Sequence, residues 1–131
     1  MNRPSWDEIW LRFCKDISRR SVDEKIKVGA VIVSEDNTQV LAVGYNGDQK
    51  GGKNCRRSLD QGQSGFIHAE VNALIKMDYN NPKQKKMYLT HSPCEVCAKC
   101  IVNAGINEVV FMETYDESTV CILTEAGITV R

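Results

Sequence analysis

The chain has 131 residues, of which 42% are apolar, and this is enough for one domain, residues 1–131, with a single core. Lys plus Arg and Asp plus Glu each number 17, so the formal net charge is zero and a broad basic surface for nucleic acid is not indicated. The first residues, MNRPSWDEIW, lack the pattern of a signal peptide, and no window approaches the roughly 20 apolar residues of a membrane span. We therefore expect a cytoplasmic protein that folds alone or as identical subunits.

The first predicted helix covers residues 6–18. Ser5 and Glu8 have the spacing of a capping box, and apolar residues recur at helical spacing from Ile9 to Ile17. Two apolar, β-branched runs follow, and a polar segment that favours a tight reversal separates them. These runs predict a hairpin of two largely buried strands, residues 28–33 and 40–43.

A polar segment with five glycines, residues 46–66, has no periodic apolar pattern and is predicted to be a functional or mobile loop. Beyond it, helical and extended patterns alternate, and Gly105 and Gly127 mark helix ends. Helices are predicted over residues 69–77, 93–104 and 116–126, and strands over residues 87–90, 109–112 and 128–130. The order predicts an α/β fold, a three-layer α-β-α sandwich with a five-stranded mixed sheet.

The six cysteines are not expected to form disulfides, because the sequence carries no secretory signal. In YLTHSPCEVCAKC, residues 88–100, Cys94, Cys97 and Cys100 recur at three-residue intervals and are the candidates for metal binding. The other three are expected to be small, buried apolar side chains: Cys14, Cys55 and Cys121.

Ser92 and Glu95 form a second capping box, with Pro93 in the first helical position, so Cys94 and Cys97 are predicted in the opening turns of a helix. Residues three apart share a helix face, and the N-terminal dipole favours thiolates. Cys100 is turned about 240° from Cys94 and is expected to pack in the interior instead.

A catalytic zinc takes three protein ligands and leaves its fourth position to water, so one further ligand is needed. Only His68 and His91 exist, and His68 belongs to an H-x-E sequence that ends in Glu70. His91 has no carboxylate at that spacing and is the weaker candidate. Because His68 and Glu70 lie about 200° apart on a regular helix, both can face one metal only if the helix begins at or next to His68.

H-x-E followed by P-C-x-x-C is the signature of zinc-dependent nucleobase deaminases. Two thiolates and one neutral imidazole balance the zinc charge, and the metal lowers the pKa of a water toward about 7. Attack on an amino-bearing ring carbon then requires protonation of the adjacent ring nitrogen and of the departing ammonia. Glu70 is expected to be the acid/base that delivers these protons.

At these residues the sequence resembles the cytidine/deoxycytidylate deaminase superfamily and, within it, the deoxycytidylate (dCMP) deaminases, including phage members. HAE and PCxxC are typical of the superfamily, whereas RS…VGAVIV with GYNG and a late TYD favours the dCMP deaminases. The resemblance implies the cytidine deaminase-like fold and one catalytic Zn²⁺ held by His68, Cys94 and Cys97. It also implies proton transfer by Glu70 and contact of the pyrimidine with the backbone of Ala69.

The resemblance further implies substrate contacts outside the metal centre. Asn46, in GYNG, would contact the sugar, although a turn position is the alternative. Ser21 and Lys25 are expected at the phosphate, and Tyr115, followed by Asp116, at the pyrimidine. Four arginines are expected to be solvated charges outside the substrate site: Arg19, Arg20, Arg56 and Arg57.

Many dCMP deaminases are homohexamers activated by dCTP and inhibited by dTTP with Mg²⁺. The resemblance therefore implies a nucleoside triphosphate effector at the loop after GYNG, where Gly47, Asp48 and Lys50 are the candidate contacts. Gln49 replaces the proline that is usual in this loop, which departs from the family pattern.

Other functions are compatible with parts of the pattern. The same chemistry could act on free cytidine, guanine or a tRNA adenosine, although the neutral charge disfavours tRNA. A structural zinc module would need a fourth protein ligand. A thiol redox protein would explain the overlapping C-x-x-C pairs but would leave His68 and Glu70 without a role.

Overall fold

The computed structural model describes residues 2–114 and 117–131. The described chain contains four helices and five strands, which alternate except that β2 follows β1 directly. They are α1 Trp6–Ser18, β1 Gly29–Ser34, β2 Val40–Tyr45, α2 Ala69–Lys76, β3 Lys85–His91, α3 Glu95–Ala104, β4 Glu108–Glu113, α4 Glu117–Glu125 and β5 Thr129–Val130.

The five strands form one mixed sheet in the order β2-β1-β3-β4-β5. β1 is antiparallel to both β2 and β3, whereas β3, β4 and β5 are parallel to one another. The carboxyl ends of β2, β3 and β4 and the amino end of β1 therefore meet at one edge. Ligands of α/β proteins commonly bind at such an edge, outside the carboxyl ends of the strands.

Helices cover both faces of the sheet, which is why the central strand β1 is buried along its whole length. On one face α1 packs, with Trp10 and Cys14 against Val31 and Tyr88. On the other face α2, α3 and α4 share a larger core, which confirms the predicted three-layer α/β fold.

Two strand glycines let a helix approach the sheet closely. A Cβ on Gly29 would lie 2.1 Å from the carbonyl oxygen of Cys14 in α1. A Cβ on Gly44 would lie 2.4 Å from the carbonyl oxygen of Ala69 and 2.6 Å from the amide nitrogen of Ala73, both in α2. Gly44 therefore fixes the distance between β2 and the first turn of α2.

The predicted start of α3 is wrong by two residues, because Cys94 and not Ser92 is its N-cap. Cys94 has an extended backbone, and its sulfur accepts a hydrogen bond from the amide of Cys97 at 3.4 Å. The amide of Ser92 instead donates to the carbonyl of Glu113 at 2.7 Å and so continues the pairing of β3 with β4. Pro93 also favours an extended residue before it.

Two of the predicted buried cysteines are exposed, namely Cys55 and Cys121, whereas Cys14 is fully buried and donates to the carbonyl of Tyr88. β3 extends beyond the predicted residues 87–90 at both ends. One added residue is the buried Lys86, whose ammonium group donates to the side chain of Asn37 at 2.7 Å. Within the described residues, no helix combines the length and the apolar character that crossing a membrane requires.

Candidate active site

The first turn of α2 carries the H-x-E sequence. His68 is the N-cap, with an extended backbone at φ −71° and ψ 153°, and Ala69 begins the helix. The expected helix start at His68 is therefore confirmed. Because His68 lies outside the regular turn, its imidazole and the carboxylate of Glu70 can face the same space despite their two-residue spacing.

The first turn of α3 carries the two cysteines. Cys94 is the N-cap and Cys97 lies three residues later, where the helix still has unpaired amides. Both sulfurs therefore sit at the positive end of a helix dipole, which favours the thiolate form. Cys100 lies further along the helix, half-buried between α3 and α2 and outside this group.

The fold brings three donor atoms together from the starts of these helices. The Nδ1 atom of His68 lies 3.2 Å from the sulfur of Cys97 and 3.5 Å from the sulfur of Cys94. The three atoms lie within 4.8 Å of one another. A tetrahedral Zn²⁺ with ordinary bond lengths requires about 3.6 Å between an imidazole nitrogen and a thiolate sulfur, so this donor set fits zinc.

Glu70 lies beside the three donors but outside their group. Its side chain is buried, the whole residue being 5% exposed, and it interacts with the sulfur of Cys97. Burial raises the pKa of Glu70 above its ordinary value. Among residues 2–114 and 117–131, no fourth His, Cys, Asp or Glu joins the three donors, so the group has the open composition of a catalytic zinc site.

The donors also shift one another's pKa values. Hydrogen bonds from Cys97 and His68 lower the pKa of Cys94 to about 4. The hydrogen bond to Cys94, together with burial, raises the pKa of Cys97. The two sulfurs therefore compete for one proton, and a cation between them would satisfy both as thiolates.

His91, the other candidate ligand, is not part of the group. Its Nε2 atom lies 3.4 Å from a carboxylate oxygen of Glu113, and its Nδ1 atom lies 2.8 Å from the hydroxyl of Thr90. Burial lowers the pKa of His91. The imidazole still lines the cavity described next.

A cavity of about 450 Å³ opens beside the donor group, a size within the range of small-molecule sites. One part of its wall comes from the two helix starts and from the end of β3, and we call this part the metal end. It is formed by His68, Ala69, Glu70, His91, Ser92, Pro93, Cys94 and Glu95. The other part comes from irregular segments, and we call it the loop end. It is formed by Asp23, Lys25, Ile26, Val28, Asn46, Arg56, Gln61, Gly62 and Ser64.

Asn46 joins the segments of the loop end. Its side-chain oxygen accepts from the amide of Val28 at 2.9 Å, and its side-chain nitrogen donates to the carbonyl of Ile26 at 2.9 Å and to Asp23 at 3.1 Å. Its φ is not positive, so the alternative of a left-handed turn residue does not apply. Asn46 is buried and lines the cavity, as a sugar contact would require.

The structure separates the two residues expected at the phosphate. Lys25 lines the cavity, and its ammonium group donates to the carbonyl of Leu59 at 2.6 Å. Ser21 does not line the cavity, because its buried hydroxyl donates to the carbonyl of Asn46 at 3.0 Å and accepts from the amide of Asp23. Ser21 therefore holds Asn46 and Asp23 in place without facing the cavity.

The interpretation of Arg56 as a solvated charge is wrong, because its side chain is only 6% exposed and lines the cavity. Its Nε atom donates to Asp23 at 2.6 Å, and its Nη1 atom donates to the carbonyl of Ser58. Nothing in the sequence marks this pair, since 33 positions separate its members and one lies in an irregular loop. The other three arginines are exposed: Arg19, Arg20 and Arg57.

The candidate effector residues lie outside the cavity. The backbone of Gly47 pairs with that of Ile67, and Asp48 and Asn54 exchange two hydrogen bonds that close the 48–54 turn. Lys50 is exposed on that turn. Tyr115, with Asp116, lies outside the described residues.

The fold and the open three-donor centre define a zinc-binding domain of the deaminase class. The family model of the cytidine and deoxycytidylate deaminase zinc-binding region matches residues 4–113. The chain belongs to this family, as the sequence predicted.

Curated relatives and solved structures agree with this assignment. The chain is 37% identical to a deoxycytidylate deaminase of Saccharomyces cerevisiae over 98% of its own length and 45% of that protein. It is 34% identical to the deoxycytidylate deaminase of Mycobacterium phage D29, over 85% of the chain and 97% of the relative. The dCMP deaminase of cyanophage S-TIM5, crystallised with dCMP and dUMP, superimposes with a TM-score of 0.84 at 31% identity, covering 100% of this chain and 98% of that one.

Proposed function

We propose that the chain, as one deaminase domain, catalyses the zinc-dependent hydrolysis of dCMP to dUMP and ammonia. The observation that carries this proposal is the group of His68, Cys94 and Cys97 beside the buried carboxyl of Glu70. Of these four residues, His68, Glu70 and Cys94 line the cavity. The yeast, phage and cyanophage relatives are all named as deaminases of this nucleotide, which supports dCMP as the substrate. The chain spans less than half of the yeast relative, so the activity is proposed for this part alone.

His68, Cys94 and Cys97 would hold the Zn²⁺, which would supply the positive charge needed to activate a water at neutral pH. Deamination then replaces the amino group of the cytosine ring by the oxygen of that water, and the amino group departs as ammonia. Glu70 accepts a proton from the water and delivers it to the ring nitrogen beside the reacting carbon. A second transfer through Glu70 carries the remaining hydroxyl proton to the departing amine.

The burial of Glu70 suits this role. A carboxyl that is held against the ligand atoms and shielded from bulk water exchanges protons with groups in the cavity rather than with solvent. Ala69 is the first residue of α2, so its amide lacks an intrahelical partner and can donate to the pyrimidine. Asn46, which is held by three hydrogen bonds, is the candidate for the sugar contact.

A phosphorylated substrate is favoured over free cytidine, guanine or a tRNA adenosine. The wall at the loop end carries Lys25, a cation that a monophosphate would need. The formal net charge of zero gives no general attraction for a polynucleotide.

We further propose a homohexamer regulated by dCTP as activator and by dTTP with Mg²⁺ as inhibitor. Exposed apolar side chains on neighbouring helices, Ile75 on α2 and Val96 on α3, support self-association. The exposed Lys50 supports a triphosphate contact near Gly47 and Asp48. The exposed free thiols of Cys55 and Cys121 favour a reducing cytoplasm, that of the host if the source is a phage.

The experiment that tests the function is ammonia release from dCMP, CMP, deoxycytidine and a cytosine-containing oligonucleotide by purified protein. Glu70→Gln should retain zinc and fold but lose about 100-fold or more of the turnover, as expected for a general acid/base. Glu125→Gln, an exposed change at the end of α4, is the matched control and should behave as wild type. Undiminished turnover by Glu70→Gln would refute the mechanism, and a preference for deoxycytidine would refute the substrate.

A further inference from the structure

Arg56 is a buried side chain of the loop end that combines a fixed position with further hydrogen-bond donors. We propose that Arg56 binds the 5′-phosphate of the substrate and that Asp23 is the positioning residue that holds its guanidinium group. The proposal rests on the proposed function, since it takes the substrate of the same cavity to be a nucleoside monophosphate.

The guanidinium group is held from one side only. Of its five N–H groups, one at Nε goes to Asp23 and one at Nη1 goes to the carbonyl of Ser58. The Nη2 atom forms no hydrogen bond with a described residue. Every fully buried side-chain nitrogen or oxygen in the described chain has a partner, so Nη2 is not fully buried, and Arg56 itself lines the cavity. The free edge of the fork can therefore form paired bonds to phosphate oxygens.

Asp23 fixes this arrangement through several bonds at once. Besides Arg56, its carboxylate accepts from the amide of Lys25 at 2.8 Å and from the side chain of Asn46 at 3.1 Å. The aspartate side chain is 1% exposed. The same carboxylate thus bonds the guanidinium group of Arg56, the backbone of Lys25 and the candidate sugar contact, so that phosphate and sugar groups can be positioned together.

A contribution to stability does not explain why Arg56 and Asp23 form a buried ion pair. Removing two charges from water costs about as much free energy as their attraction returns, and a buried ion pair is therefore weak evidence for a stabilising role. A pair on a cavity wall with spare donors is better explained by recognition, because the aspartate prevents the arginine from turning back into solvent. Lys25, tethered to the carbonyl of Leu59, supplies a second charge for a dianion.

The test compares a ligand with its phosphate-free counterpart by calorimetric titration, which does not depend on turnover. Wild type, Arg56→Gln, Arg56→Lys and Arg57→Gln are titrated with dUMP and with deoxyuridine. Arg56→Gln should weaken dUMP binding by about 10- to 100-fold, the range expected for charge-assisted hydrogen bonds, and change deoxyuridine binding less than about 3-fold. Arg56→Lys should recover part of the loss. Arg57→Gln, an equal charge change at the exposed neighbouring residue, should match wild type.

Folding is monitored by zinc content and by thermal unfolding. If Arg56→Gln unfolds because Asp23 is left unpaired, the double variant Asp23→Asn/Arg56→Gln removes both charges and should show the same selective loss of dUMP binding. Equal weakening of dUMP and deoxyuridine, or unchanged dUMP binding, would overturn the proposal. Wild-type protein that binds dUMP but releases no ammonia from dCMP would refute the proposed reaction and leave the phosphate site standing.

Discussion

The two ends of the cavity are built in different ways. The metal end and the donor group beside it come mainly from the starts of α2 and α3, which carry His68, Cys94 and Cys97. The loop end comes from the 21–28 and 46–66 segments, which have no regular structure and are joined by the side chains of Asp23, Asn46 and Arg56. The proposed chemistry would thus depend on two helix starts, whereas the proposed recognition would depend on a network of long-range hydrogen bonds.

The largest expected effect distinguishes Cys97, which belongs to the donor group, from Cys100, which does not. Cys97→Ala should lose zinc and essentially all activity, because it removes one of three ligands and the residue is buried beside Glu70. Cys100→Ala is the matched control, since Cys100 lies half-buried between α3 and α2 outside the donor group. Zinc content and ammonia release measure both variants. Equal damage from the two changes would show that the donor set is misassigned.

The metal end could be predicted from the sequence because its geometry is local. H-x-E and P-C-x-x-C each begin a helix, and a helix start fixes where neighbouring side chains point. The helical repeat alone predicts that His68 lies outside the regular turn. The error at Ser92 has a non-local cause, since the sequence shows a capping box but not the pairing of the Ser92 amide with Glu113 in the next strand.

The next effect tests how the loop end is held together. Asn46→Ala removes three hydrogen bonds and leaves the amide of Val28 without its partner, so the free energy of unfolding should fall by about 2 to 4 kcal/mol. The KM for dCMP should rise while zinc content stays the same. Asn80→Ala, at an exposed position, is the control and should change stability by less than about 0.5 kcal/mol. Urea unfolding and steady-state kinetics measure the two variants, and zinc loss in Asn46→Ala would contradict the independence of the two ends.

The loop end could not be predicted to the same degree, because its contacts join residues far apart in the chain. A family resemblance indicates Asn46 and Lys25, but an arginine in a glycine-rich segment gives no periodic signal, and the sequence predicts a solvated charge at Arg56. Only the fold shows that Arg56 meets Asp23, 33 positions earlier. The fold as a whole was predictable, since helix and strand periodicities and the α-β alternation define its layers.

The smallest expected effect concerns pH and the Asp23 carboxylate. Burial alone would raise the pKa of Asp23, but hydrogen bonds from Arg56 and the Lys25 amide outweigh it, and the pKa lies below its ordinary value. Asn46 also faces the carboxylate, whereas the Lys25 ammonium group donates to the Leu59 carbonyl. An unfolded aspartate therefore binds protons more readily than the folded one, and the stabilisation is complete above about pH 4, the unfolded pKa.

That stabilisation is lost as the pH falls through the lower, folded pKa. The difference in the free energy of unfolding between wild type and Asp23→Asn, from urea titrations, should be constant between about pH 5 and pH 7 and should shrink below about pH 4. Protonation of the zinc ligands affects both proteins and cancels in this difference. A difference that stays constant or grows at acid pH would show that Asp23 is not held as an anion by Arg56. Asp23 could then not be the residue that positions the guanidinium group of Arg56.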